Sequence, residues 1–222
     1  MAAHRHPNAV PATCASSRGQ AYIEPAMIEI VRDSGSSELW TIGHGTLAFE
    51  RFVGALQQNE ITAVADVRTV PASSRAPDYN SAALKRALPA ANIAYVQLGK
   101  ELGGRPPEDE FYDKTGHVLY RPLSQSPRFL SGLERLEVGT REGRVAVLCS
   151  ESDPDRCHRN LLVGRAMRMR EYRVTHILSS GRTKPFDDHL VSGVGLPGLE
   201  EDPWRSLVRV RLEPPLEPFS NG

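Results

Sequence analysis

A three-layer α/β sandwich is the fold class this sequence predicts, on three observations. Short apolar runs alternate with segments of helical period through residues 38–190. Those runs are apolar on both faces, as strands covered by helices on either side must be. Ionisable residues gather just past the carboxyl ends of four of the five runs, the edge at which open α/β sheets hold ligands. The expectation is one Rossmann-like or flavodoxin-like domain: a mostly parallel sheet of about five strands, helices on both faces and right-handed crossovers.

The first strand is LWTIGH (39–44), running into Gly43-His44-Gly45. Thr46 is placed to cap a helix whose Phe49, Phe52, Val53 and Leu56 form one apolar stripe. ITAVADV (61–67) is the second strand, and RTVPASSRAPDYN (68–80) reads as a long loop rich in Pro, Ser and Arg. Ser81 to Leu88 make a short helix before the third strand, IAYVQL (93–98). A second long loop runs from Gly99 to Pro127, and a helix from Phe129 to Leu136. RVAVLC (144–149) is the fourth strand, Cys157 to Tyr172 the next helix and VTHIL (174–178) the fifth strand. Residues 1–37 read as a disordered or loosely packed leader, with AMIEIVRD (26–33) an optional edge strand, and residues 191–222 as a Pro-rich tail.

Composition narrows the function classes. The 27 basic and 27 acidic side chains cancel, so only a local basic patch could serve nucleic acid, and nothing favours an anionic membrane. No apolar run is long enough for a bilayer, and the basic N-terminus lacks the apolar stretch of a secretory signal. Three cysteines give no disulfide framework, which suggests a reduced, cytoplasmic protein. Neither G-x-G-x-x-G nor G-x-x-x-x-G-K-[ST] follows a strand, which argues against a nicotinamide enzyme and a P-loop NTPase.

The chemistry concentrates in LCSESDPDRCHRN (148–160), where the fourth strand hands over to a helix. Asp153-Pro154 marks the helix start, cap followed by proline at the first helical position. Free amides of that turn, with Arg156, His158 and Arg159, make a field that suits anions. The same field would pull a Cys149 thiol below its free pKa of roughly 8.5. The competing reading is an inert core cysteine, with Cys157 as packing. Asp66 could orient His44 or act as a base, and Arg68 could hold an anion; alternatively the two form a buried pair that fixes the loop. Arg159 is either an anion ligand or the partner of Asp66 or Glu151. Tyr79 and Tyr95 read as core or as stacking platforms, and Gly99 and Gly103-Gly104 as turn residues. Zinc on Cys149, Cys157, His158 or His44 ranks last: C-x7-C-H is not a standard pattern, and adjacent residues of a helix point apart.

T-I-G-H-G-T at 41–46, A-D-V-R-x-x-P-x-S at 65–73, L-G-x-E-L-G-G at 98–104, L-C-S-E-x-D-P-x-x-C-H-R at 148–159 and V-x-H-I at 174–177 resemble the bacterial and archaeal family catalogued as domain of unknown function 488. The resemblance covers residues 39–180 in order and spacing. It implies a compact α/β domain and groups Gly43, His44, Asp66, Arg68, Glu101, Cys149, Glu151, Cys157, His158 and Arg159 as signature positions, but it supplies no reaction. A partial likeness to rhodaneses and Cys-dependent phosphatases is one of fold only. In those enzymes Cys and Arg bracket a short loop, whereas Cys149 and Arg159 are ten positions apart.

The functional expectation is a small thiol-dependent transferase or hydrolase for a phosphate-, sulfur- or nucleotide-like anion. Cys149 is its nucleophile, His44 or His158 its acid/base, and Asp66 the residue that orients a histidine. Glu151 is a second acid/base candidate, while Gly43, Arg68, Glu101 and Arg159 hold substrate. No cofactor is required. The alternatives are a nucleic-acid- or nucleotide-binding module whose Arg68-to-Arg75 loop follows a backbone, and a zinc site at Cys149, Cys157 and His158. Substrate, strand order and oligomeric state are not legible in the residues.

Overall fold

Alternation along the most buried strand sets the layers. In β4 (Val145–Cys149) all five residues are buried, because neighbouring side chains of a strand point to opposite faces and both faces are covered. Val145 and Val147 pack with Leu39, Ala65, Val67, Phe129, Leu133, Leu162 and Val163. Ala146 and Leu148 pack on the other side with Ile42, Val64, Phe52, Leu56, Leu84 and Leu88.

The computed structural model describes residues 37–189 and 204–210; the optional edge strand at 26–33, Cys14 and the rest of the tail lie outside the described residues. β1 (Glu38–Gly43), β2 (Ala63–Asp66), β3 (Ala94–Gln97), β4 and β5 (Arg173–Ile177) are mutually parallel. A short β6 (Thr183–Pro185) adds antiparallel to β5, so the six-stranded order is β3-β2-β4-β1-β5-β6. Gly43 lies opposite Cys149 and Asp66 opposite Leu148, which brings the carboxyl ends of β1, β4 and β2 level at the centre of the sheet. β3 is an edge strand, and its Ala94, Val96 and Gln97 are exposed, where the sequence suggested burial on both faces.

α1 (Phe49–Gln58) buries Phe52, Ala55 and Leu56 along the expected stripe, but Ala48, not Thr46, precedes it and no side chain caps it. α2 is Ser81–Ala87. The expected loop at 99–127 instead contains α3 (Gly99–Leu102), a 3₁₀ turn at Asp109–Phe111 and α4 (Tyr120–Gln125). Its apolar residues are too sparse to show a period, and they become ordered by burying Phe111, Val118, Tyr120 and Leu123 in the first core. Ser126 then caps α5 (Pro127–Glu142), its Oγ accepting from Phe129 N at 3.3 Å ahead of a first-turn proline.

The helix expected at 157–172 is broken. Asp153 does cap, accepting from Asp155 N at 2.9 Å, but only a 3₁₀ turn at Pro154–Arg156 follows. Cys157 is extended (φ −115, ψ 140). A π-helical segment, Arg159–Gly164, comes next and hands over to α6 (Arg165–Arg168). From the tail, residues 204–210 return to the domain. Trp204 Nε1 donates to Leu161 O at 2.6 Å, the Trp204 carbonyl accepts from Tyr120 N at 2.9 Å, and the Arg165 guanidinium lies 4.4 Å over its ring.

Candidate functional site

α1 and α2, which follow β1 and β2, pack on one face of the sheet, while the π segment that follows β4 packs on the other. Connections that leave neighbouring strand ends in opposite directions open a crevice between them. The end of β4 is flanked by such departures on both sides, and a cavity of about 710 Å³ lies there. Arg68, Thr69 and Val70 line it from the end of β2, with Gly104, Arg105 and Tyr120 from the segments after β3. Cys149 and the loop after β4 supply Ser150, Glu151, Ser152, Asp153, Arg156, Cys157 and His158, while Leu207 and Val208 arrive from the tail.

At the back of the cavity, Cys149 Sγ is 3.5 Å and Cys157 Sγ 3.9 Å from His158 Nδ1. The other ring nitrogen, Nε2, is 3.1 Å from the carbonyl oxygen of Val67. A carbonyl only accepts, so Nε2 carries a proton and Nδ1 is left to take one from a thiol. Gly104 admits the ring: a Cβ there would lie 2.6 Å from His158 Cγ. The Cys149 thiol is held well below its ordinary value, first by the hydrogen bond from Cys157; burial opposes this, and the charge of His158 and the Glu151 N–H add to it. Cys157 is pushed up, by burial, then by its hydrogen bond to Cys149, then by that neighbour's charge. Burial disfavours an imidazolium at His158, yet the Cys149 thiolate outweighs it and raises the pKa. The three shifts point the same way: negative charge is favoured on Cys149 over Cys157, and a proton is favoured on His158.

One strand away, Arg68 and Asp66 form a closed network. Arg68 Nε and Nη2 donate to the two Asp66 oxygens at 2.9 and 2.6 Å, Arg68 N donates at 3.1 Å and Tyr95 OH at 2.7 Å. Arg68 Nη2 also reaches Tyr79 O at 2.7 Å, and Nη1 lies 3.4 Å from His44 Nε2. His44 Nδ1 is 3.0 Å from Gly45 O, so its proton sits on Nδ1 and Nε2 accepts from Arg68. The ring stacks on Tyr79 with centroids 4.2 Å apart. Burial, then the Arg68 charge, lowers the His44 pKa. His44 is thus a neutral spacer between Arg68 and the β1 turn, and Asp66 orients Arg68 and Tyr95 rather than a histidine.

Arg159, fully buried, binds the loop and not a carboxylate. Its Nη1 donates to Glu151 O at 2.5 Å and its Nη2 to Ser152 O at 3.0 Å, while Nε has no partner among the described residues. A side chain at Gly43 would collide with that Glu151 carbonyl and with the guanidinium, so Gly43 is the seat of the bracket. The Glu151 side chain is exposed at the cavity wall. Glu101 is elsewhere, on α3 in an ion pair with Arg135 of α5. Cys149, His158, Arg68 and Glu151 therefore share one cavity; His44 and Asp66 stand behind Arg68, Gly43 and Arg159 shape the loop, and Glu101 is not among the residues that line the cavity.

Three side chains here could hold a metal ion. Cys149, Cys157 and His158 offer atoms within 4.8 Å of one another. The sequence argument against this set assumed that Cys157 and His158 were both helical, and the extended Cys157 removes that obstacle. Sequence reasoning missed Tyr120, Gly104 and Arg105 because they lie in the supposed loop. It also missed the tail segment, whose Ser206, Leu207 and Val208 wall the cavity with no local signal beyond the Trp204 anchor.

No helix among the described residues is long and apolar enough to cross a membrane. No curated protein and no solved structure matches the chain. The family described as Domain of unknown function DUF488 is matched over residues 48–166, which takes in the second-strand, Gly-Gly and Cys-to-Arg motifs together with Arg68, Cys149, Glu151 and His158 of the cavity. With more than half of its 222 residues inside that match, the chain belongs to the DUF488 family.

Proposed function

We propose that this protein is a thiol-dependent enzyme acting on a small anionic substrate, with Cys149 as nucleophile and His158 as its base. The observation that carries the reading is the 3.5 Å Cys149–His158 contact at a cavity wall, with the ring's far nitrogen fixed by Val67 O. A base within reach of the nucleophile and oriented by a third group is the general signature of nucleophilic catalysis. In the proposed cycle His158 Nδ1 takes the Cys149 proton and Sγ bonds to the electrophilic centre. The leaving group departs with that proton, and water or a second nucleophile releases the product. Arg105 and Arg156, beside the Asp66-paired Arg68, line the same cavity and favour an anion, while Glu151 at its wall would serve the second half-reaction as a base. The test is alkylation of the folded protein by iodoacetamide, with each cysteine read by peptide mass. Cys149 should react first of the three; no reaction before unfolding would end this reading.

A second reading has its own observation. The Cys149–Cys157–His158 set with a histidine that donates its other N–H to a carbonyl is how a zinc-type site is oriented. Three protein ligands facing a cavity would leave one position for water or substrate, and Cys149 would then be a ligand rather than a nucleophile. Elemental analysis of protein purified without added metal separates the two: one zinc per chain favours the site, and metal-free protein favours the thiol enzyme.

A further inference from the structure

We propose that Cys157 is a resolving thiol, which attacks the Cys149 sulfur once that sulfur is oxidised and closes a reversible Cys149–Cys157 disulfide. This rests on the reading of Cys149 as the reactive thiol. Three observations on the page lead to it. The two sulfurs and a His158 nitrogen lie within 4.8 Å of one another, so the attacking sulfur stands next to its target and a disulfide of roughly 2.05 Å requires them to close only the remaining gap. Cys157 sits in extended backbone between a single 3₁₀ turn and a π segment, both weaker than an α-helix, so its side chain can swing without unwinding a long helix. And one imidazole stands 3.5 Å from the first sulfur and 3.9 Å from the second, so the same base can serve both thiols in turn.

The chemistry closes with a hydroperoxide as oxidant. The Cys149 thiolate attacks the outer peroxide oxygen, the O–O bond breaks, and the alkoxide leaves with the proton held by His158, giving a sulfenic acid and an alcohol. His158, now neutral, takes the Cys157 proton. The Cys157 thiolate bonds to Cys149 Sγ and displaces hydroxide, which collects that proton as water. Two thiols and one hydroperoxide thus become one disulfide, one alcohol and one water. Both sulfurs are buried, Cys149 5 % and Cys157 1 % exposed, so bulky external thiols reach the sulfenic acid poorly and the internal partner has the advantage. Closure would silence the nucleophile reversibly and shield it from irreversible oxidation.

The experiment uses the full chain, reduced, desalted and treated with equimolar hydrogen peroxide. The expected product has lost two hydrogens, and its peptide map links Cys149 to Cys157 and leaves Cys14 free. In Cys157→Ser, with Cys157→Ala as a second variant should the first fold poorly, Cys149 should be trapped by dimedone as sulfenic acid. Its yield should exceed that of the unsubstituted protein at least about tenfold. A dimedone adduct on Cys149 in the unsubstituted protein with no Cys149–Cys157 link, or a link to Cys14, overturns the resolving role while leaving the nucleophile intact. No modification of Cys149 in any of the proteins overturns the thiol reading itself.

Discussion

At the end of β2, Asp66 accepts four hydrogen bonds, from Arg68 three times and from Tyr95 once, while Arg68 reaches on to Tyr79 O and His44. At the end of β4, one strand away, Cys149 and Cys157 share a single imidazole and open on the cavity. The two clusters contain similarly suggestive residues, and they differ in how fully each group is engaged. A carboxylate whose lone pairs are all taken holds geometry; a thiol with a base beside it and space in front of it can react. Saturation, rather than residue type, separates support from chemistry.

The largest effect on the thiol's reactivity should come from replacing the histidines on either side of that comparison. His158→Ala removes the base and should slow Cys149 alkylation by about 100-fold, the ordinary scale of base assistance. His44→Ala, on the saturated side, should leave the rate close to that of the unsubstituted protein. If the two substitutions slow alkylation equally, the clusters act as one and the distinction fails.

Asp66→Asn tests the other half. Asp66 is fully buried and Arg68 only 5 % exposed, so the substitution leaves a guanidinium uncompensated in the interior. Breaking such a pair from one side costs about 3–5 kcal/mol, which denaturant unfolding would read directly. The thiol chemistry of the folded fraction should persist. A loss under about 1 kcal/mol would mean that water reaches the pair and that the network is no scaffold.

How much of this the residues announced follows from the same contrast. The five parallel strands and the placement of Cys149, His158, Arg68 and Glu151 at strand ends were legible because burial on both faces and topology are patterned locally. That Arg159 would bind the Glu151 and Ser152 carbonyls was not legible, since a buried arginine and an anion-binding arginine look identical in one dimension. The low rank given to a shared Cys157–His158 site rested on both residues being helical, and the backbone differs there: the Asp153-Pro154 signal is real, but it starts one 3₁₀ turn and not the long helix. Residues 204–210 come from a Pro-rich tail, and their place at the cavity depends on partners such as Leu161 and Tyr120 more than 40 and 80 positions away.

A third effect, of intermediate size, depends on pH. His176 of β5 is fully buried, 2.8 Å from Thr41 Oγ1, and its Nε2 has no partner among the described residues. Burial first, then the Arg159 charge, depresses its pKa to about 4; Asp155 opposes the shift and Lys184 adds to it. Between pH 6.5, the ordinary histidine value, and about 4 the unfolded chain binds a proton there that the folded chain refuses. Stability therefore falls as pH falls through that window, by on the order of 3 kcal/mol for this one group, and is unaffected by it above the window. His176→Gln should flatten that part of the profile measured by urea unfolding at pH 4.5 and 7. An unchanged slope would assign the acid sensitivity to other groups.

The smallest effect should be at Glu101, which the sequence placed among the binding residues and the structure places on α3 against α5. Its ion pair with Arg135 is partly exposed, the two side chains 23 % and 48 % accessible, so solvent screens most of the attraction. Glu101→Gln keeps the shape and removes the charge, and should cost under about 1 kcal/mol with Cys149 alkylation unchanged. What matters at this contact is the close approach of the two helices. A Cβ on Gly132 would lie 2.6 Å from Glu101 Cβ and 2.8 Å from the Leu102 side chain, so Gly132→Ala should cost more, about 1–3 kcal/mol from overpacking. If the order were reversed, with the charge mattering more than the missing methyl, Glu101 would have a partner beyond Arg135 and its exclusion from the site would have to be reconsidered.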